Sequence, residues 1–198
     1  MPDGQNQSVD AVRVNAGCGQ ALDRVTLERA RRGDMAAFAV IYDRFGTSCY
    51  NLALRVLGEP AAAEDVVQDV FLKMFATLRG FRGDAPFGAW LKRMTANATI
   101  DVLRARQRFR DDDVDALFEA LPAPAAGAED RADAWALLMG LPPRARAVLI
   151  LHEVEGYTHR ELAQLFGQTE SYSKSILARA LKRLNAVALT VDAKEAAS

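Results

Sequence analysis

Catalysis needs a nucleophile, an acid–base pair or a metal cluster, and this sequence sets out none of them in pattern. Its two histidines, His152 and His159, form no metal-binding pair with each other or with a cysteine. Cys18 and Cys49 also lack a partner at ligand spacing, and there is neither a glycine-rich phosphate loop nor a nucleophile elbow. The expectation is no catalytic residue, no metal, no cofactor and no enzymatic activity. What the sequence does pattern is recognition chemistry. After Pro60, Glu64, Asp65, Gln68 and Asp69 fall at i, i+1, i+4 and i+5, which puts acids and an amide on one helix face. Acids repel phosphate, so this face suits a protein partner better than a nucleic acid.

Further on, Lys92, Arg93, Arg104, Arg106, Arg108 and Arg110 stand against Asp101 alone. Among them Arg93, Asn97, Arg104 and Arg108 recur at about one or two helical turns, lining cations and an amide along one edge. Just before this run, Phe81 and Phe87 flank Arg82-Gly83-Asp84-Ala85-Pro86. Aromatic and basic groups on an irregular loop suit gripping unstacked bases. A third set, Glu170, Ser171, Tyr172, Lys174, Ser175 and Arg179, lies near the start of the last helical segment and can reach base edges or phosphates.

Helices must carry these sets. With 50% hydrophobic and 26% charged residues and a net charge of −1, the chain is that of an ordinary folded protein, and its basic and acidic groups are segregated locally. Residues 1–24 show no periodicity and read as a disordered tail. Thr26 and Asp34 are expected N-caps, with Gly33 between them. Phe38, Ile41, Tyr42 and Phe45 give one apolar stripe, and Cys49, Leu52, Ala53 and Val56 give the next, in a segment that stops at Gly58. Pro60 opens the next helix, with Val67, Val70, Phe71, Met74 and Leu78 inward. Trp90, Leu91, Met94, Ala98 and Val102 form the apolar face of the basic helix.

From 111 to 133 the pattern fails, and acids with Pro122-Ala-Pro124 make a linker. Periodicity resumes at Asp133 with Trp135, Leu138 and Leu141. Pro142 and Pro143 open a helix carrying Ala147, Val148, Leu151 and Val154, which Gly156 ends. Thr158 to Glu161 has capping-box spacing, Gly167 is a turn, and a longer helix follows from about Thr169 to Ala188: helix-turn-helix grammar. No segment alternates with period two, so the chain is expected to be all-α in two small domains, 25–110 and 134–186, with a C-terminal tail over 187–198. Unpaired cysteines, and the lack of an apolar run long enough to span a bilayer, point to the cytoplasm and no membrane insertion.

Ala63-Glu-Asp-Val-Val-Gln-Asp-Val-Phe71 and Trp90-Leu-Lys-Arg-Met-Thr-Ala-Asn-Ala-Thr-Ile-Asp-Val-Leu-Arg104 resemble two successive motifs of the extracytoplasmic-function (ECF) sigma factors of bacterial RNA polymerase. Leu141-Pro142, Glu153 to Tyr157, Glu161-Leu-Ala163, Lys174-Ser175 and Arg179-Ala180 resemble the second module of the same family, so the likeness covers about 25 to 186. It implies a promoter-melting domain followed by an upstream-element domain. By resemblance, Asp65, Gln68, Asp69 and Phe71 would dock on the clamp coiled coil of the largest polymerase subunit, with the flap region as a further contact. Phe81, Arg82 and Asp84 would capture a flipped base of the downstream element, while Lys92, Arg93, Asn97, Arg104 and Arg108 hold nearby DNA. Ser171, Tyr172, Lys174, Ser175 and Arg179 would face the upstream element. The linker would thread the RNA channel, and an anti-sigma factor would be a further partner. The chain departs from the family pattern at Ser171-Tyr172-Ser173, in place of Gly-Thr-Val, and at Ile176, where arginine is frequent; the latter predicts one phosphate contact fewer. An operator-binding regulator working without polymerase would also use the helix-turn-helix, but leaves the acidic face and the basic helix without a role.

Overall fold

The computed structural model describes residues 22–107, 118 and 131–195, and every regular element among them is helical. Helix α1 (Arg24–Arg31) starts earlier than expected: Asp23 is its cap, accepting from the Thr26 amide at 2.8 Å, and Thr26 lies inside the first turn. Asp34 caps α2 (Met35–Leu57) as anticipated, taking the amides of Ala36 and Ala37. Gly58 ends α2 in the left-handed region, at φ 79°. Pro60 sits in the first turn of α3 (Pro60–Thr77), and a 3₁₀ turn (Leu78–Gly80) leads into the loop before α4 (Phe87–Gln107).

Helices α2, α3 and α4 pack against one another around Ile41, Phe45, Cys49, Val56, Val70, Met74, Leu91 and Ile100, all nearly inaccessible. Burying side chains of this size contributes about 1.5–3 kcal/mol each. Two expectations need correction. Tyr42 is exposed, lying across the surface against Phe71 instead of in the core. On α4 the deepest residues are Leu91, Thr95, Ala96, Thr99, Ile100 and Leu103, while Trp90, Met94, Ala98 and Val102 are only half-buried. The threonines tolerate burial because their hydroxyls donate to the carbonyls of Leu91 (3.0 Å) and Thr95 (2.8 Å).

The second group comprises α5 (Arg131–Met139), α6 (Pro143–Leu149), which runs on through a π-helical turn (Ile150–Val154), α7 (His159–Phe166) and α8 (Glu170–Glu195). Helix α5 begins slightly before the expected Asp133. Val148, Leu151, Leu162, Ile176 and Ala180 form its core, whereas Val154 is exposed, contrary to its place in the expected stripe. Thr158 and Glu161 complete the capping box in both directions. Gly167 ends α7 at φ 64°. Most of the expected linker, like the tail over 1–21, lies outside the described residues. No described helix is long and apolar enough to cross a membrane.

The two groups meet. Arg146 on α6, only 5% exposed, donates from Nε to the Val56 carbonyl at 2.8 Å and from Nη2 to the Leu57 carbonyl at 2.9 Å. A guanidinium thus caps the negative end of the α2 dipole across the boundary. Burial pushes the Arg146 guanidinium below its ordinary range, with Glu59 opposing that shift. Gly58 permits the approach: a Cβ there would lie 2.6 Å from the Met139 sulfur and 3.3 Å from Arg146 Nη2.

Candidate functional site

The acidic face is built as its spacing requires. Ala62, Ala63, Val66, Val67 and Val70 turn α3 into the core, which leaves Glu64, Asp65, Gln68 and Asp69 outward. None of these three carboxylates has an ion-pair partner among the described residues. One turn further on, the same face carries Leu72 (65% exposed) and Phe75 (47% exposed). Phe75 packs on Phe38 at 4.1 Å between ring centroids, and Phe71 meets Tyr42 edge-on at 4.8 Å. An acidic patch therefore adjoins an exposed aromatic ridge. The sequence reading missed Tyr42, Leu72 and Phe75 as members of this surface; extending the period from Asp65 through Gln68 to Leu72 and Phe75 finds the α3 pair.

The loop before α4 divides into two parts. Arg82 and Asp84 are exposed and paired with each other at 2.9 Å, and Gly83 takes φ 82°. Phe81 and Phe87 are buried, their rings 5.5 Å apart, and both contact Trp90. Phe81 therefore does not fit the expected role of a stacking platform for a base: its ring helps anchor the loop, with the Phe81 carbonyl accepting from Arg31 of α1. On α4, Arg93, Asn97 and Arg104 are exposed along one edge, as the spacing predicts, with Asp101 pairing Arg104 at 3.1 Å. Arg108 lies outside the described residues. Lys92 differs from expectation: its side chain is only 14% exposed, and Nζ sits 2.5 Å from a carboxylate oxygen of Glu155.

On α8, Ser171, Lys174 and Ser175 are exposed and Arg179 is half-buried. Thr169 caps the helix, its hydroxyl accepting from the Tyr172 amide at 3.1 Å. Tyr172 is half-buried, and its hydroxyl accepts from Arg144 at 3.2 Å, so its ring belongs partly to the scaffold. Ser173 is buried against His159 Nδ1 at 3.0 Å, and His159 stacks on His152 at 4.3 Å. Desolvation, then repulsion from His152 and Lys174, holds the His159 imidazole below its usual range. Ile176 is 1% exposed. Its side chain packs into the core and not on the outer face of α8.

Comparison with known proteins identifies this arrangement. The family model Sigma-70 region 2 matches residues 41–109, the stretch that contains the acidic helix, the loop and α4. The model Sigma-70, region 4 matches residues 131–184, which contain the helix-turn-helix. The RNA polymerase sigma-H factor of Pseudomonas aeruginosa is 31% identical over 158 residues, covering 73% of this chain and 82% of that protein. The chain belongs to the extracytoplasmic-function group of the sigma-70 family. The ECF sigma-E factor of Escherichia coli K12 is 30% identical over 161 residues, covering 74% of this sigma factor and 83% of its relative. Against the ECF factor SigE of Mycolicibacterium smegmatis, 31% identity extends over 125 residues, and the match spans only about half (48%) of that relative's length. Among solved structures, RpoE of Bartonella quintana bound to the anti-sigma factor NepR matches 78% of this sigma factor, with a TM-score of 0.53 and 27% identity. CnrH bound to the cytosolic domain of CnrY matches 85%, with a TM-score of 0.52 and 28% identity.

Proposed function

We propose that this sigma factor divides its labour between two domains, 25–110 and 134–186, acting in the cytoplasm as an initiation factor and not as an enzyme. The acidic face Asp65, Gln68 and Asp69, with Phe71 beside it, docks on the clamp coiled coil of the largest polymerase subunit. The observation that carries this reading is the contrast within one core: α3 presents acids without ion-pair partners among the described residues, together with apolar rings, and α4 beside it presents cations. A surface of carboxylates bordered by exposed aromatics fits a basic protein groove, because the charges steer encounter and the rings bury area.

The remaining assignments rest on the exposure of Arg82, Asp84, Arg93, Asn97, Arg104, Ser171, Lys174 and Ser175, and on the family likeness for the others. Arg82 and Asp84 contact a base unstacked from the downstream element, and Arg93, Asn97 and Arg104, with Arg108 beyond them, hold the strand backbone. Ser171, Lys174, Ser175 and Arg179 enter the major groove of the upstream element, which a helix can read base by base. The second domain also approaches the polymerase flap, and the linker over 111–133 passes through the RNA channel. The partners of RpoE and CnrH support a protein inhibitor as a further partner. Reconstituted transcription with core polymerase on a promoter library tests the function. The expected outcome is initiation from a restricted set of promoters only when this protein is added; absence of protein-dependent starts would refute it.

A further inference from the structure

Helix α8 turns one stripe inward: Ser173, Ile176, Leu177 and Ala180, at i, i+3, i+4 and i+7, are all buried. Three of the four are apolar, and apolar contact is non-directional, so it opposes loss of the helix more than a small rotation of it. Ser173, 2% exposed, is the exception. It lies in the Ser171-Tyr172-Ser173 departure from Gly-Thr-Val, and a valine in its place would bury without a partner. A buried hydroxyl needs one. His159, the first residue of α7, supplies it, with Nδ1 3.0 Å from the Ser173 Oγ. The His159 ring is itself backed, stacking on His152 of the π-helical turn at 4.3 Å between centroids and 20° between planes. His152 is held in turn by the Tyr157 carbonyl, 2.7 Å from its Nδ1; a carbonyl only accepts, so this nitrogen carries the proton. A connected path therefore runs from the π-helical turn through two imidazoles to the first turn of α8. Tyr172, next to Ser173, ties the same turn to α6 through Arg144. The exposed Ser171, Lys174 and Ser175 leave from this turn and the start of the next.

We infer that His159 is a positioning residue for upstream-element readout: through its hydrogen bond to Ser173 it fixes the rotation of the start of α8, and so the aim of Ser171, Lys174 and Ser175. The inference rests on the proposed reading of α8 as the helix that enters the major groove. Hydrogen bonds weaken steeply as their angles close, so a helix start left to rotate on an apolar stripe loses base contacts while keeping its fold. His159 acts through Ser173 and not by touching DNA. A single buried polar contact within an apolar interface is a known way to fix register, and here it replaces the apolar fit that a valine would give.

The test uses the full chain in holoenzyme on a promoter recovered from the library, with its upstream element intact or scrambled. It reads the ratio of initiation on the two templates, alongside the melting temperature of the free protein. His159→Ala and Ser173→Ala are each expected to lower that ratio about fivefold, the effect of one hydrogen bond, and the double variant no further, because both act through one contact. His159→Asn is expected to recover most of the loss, since its side-chain amide reaches the place of Nδ1. A purely structural role would instead lower melting temperature and initiation on both templates, leaving the ratio unchanged. An unchanged ratio in both single variants, losses that multiply in the double variant, or no recovery in His159→Asn overturns the inference. Lys174→Ala separates it from the reading beneath it. A ratio lowered by Lys174→Ala but not by Ser173→Ala sinks the positioning role alone, whereas a ratio that Lys174→Ala also leaves unchanged sinks both.

Discussion

Helices α3 and α4 share one core and differ in what they do with their charged side chains. On α3, Glu64, Asp65 and Asp69 project without an ion-pair partner among the described residues, and Leu72 and Phe75 extend the same face as exposed apolar surface. On α4, Lys92 is committed to Glu155, and Arg104 to Asp101 and the Leu165 carbonyl. Charges left unpaired on a surface are available at no cost beyond desolvation. Charges already paired must first exchange one partner for another, so their availability depends on conformation. The two surfaces therefore differ in kind: the acids of α3 stand without ion-pair partners among the described residues, whereas Lys92 and Arg104 of α4 would have to exchange partners before meeting anything else.

The largest effect should come from the acids of α3. Reversing Asp65 and Asp69 together to lysine should weaken core-polymerase affinity about a hundredfold, close to 2.7 kcal/mol, because two charges then face like charges across one interface. Competition binding against the unmodified protein measures this, and unchanged affinity in a folded double variant would remove the distinction between the helices. A smaller effect is expected where the loop acts after docking. Replacing Arg82 through Ala85 with a Gly/Ser segment of equal length should leave closed complexes intact and lower open-complex formation on the order of tenfold, since unstacking a base costs a few kcal/mol that the loop must help recover. Permanganate footprinting reads the open complex, and a pre-melted bubble template should restore much of the loss. Lack of rescue would make the loop a scaffold only, as Phe81 and Phe87 already are.

Much of this arrangement is legible in the sequence because period reports burial. The acidic face of α3 and the edge Arg93, Asn97 and Arg104 lie where 3.6-residue spacing puts them, and Thr158 with Glu161 announces the cap of α7. The missed features depend on partners distant in the chain. Phe81 between glycines reads as an exposed loop aromatic until Phe87 and Trp90 close around it. Nothing local to Lys92 names Glu155, and a single arginine among Ala145, Ala147 and Val148 gives no sign that Arg146 reaches the end of α2. Family pattern alone marks Ile176 as a departure, whereas its place beside buried Leu177 and Ala180 shows that it faces inward.

Two weaker perturbations sharpen the picture of the second domain. Within holoenzyme, Lys174→Ala should weaken use of an intact upstream element by about 1 kcal/mol, and should have little effect once that element is scrambled. Equal loss on both templates would place the readout elsewhere. The smallest effect concerns His159, held below the usual histidine value of 6.5 by desolvation first, then by His152 and Lys174, with Glu170 and Glu153 opposing. A histidine depressed in the folded state takes up its proton more readily when unfolded. Stability is then complete above the usual histidine range and declines as pH falls through it. The second domain should melt slightly lower at pH 5.5 than at pH 7.5, and His159→Gln should flatten that difference; an unaltered pH profile in the variant would assign the effect to other groups.

The contrast between exposed and paired charges is tested most directly by amine labelling of the isolated, full-length protein, read lysine by lysine by mass spectrometry. Lys73 and Lys174 are exposed, whereas Lys92 is enclosed with Glu155. The account predicts that Lys92 labels far more slowly than Lys73 and Lys174 in the unmodified protein, and catches up with them in Glu155→Gln. Equal labelling of all three lysines in the unmodified protein would contradict it.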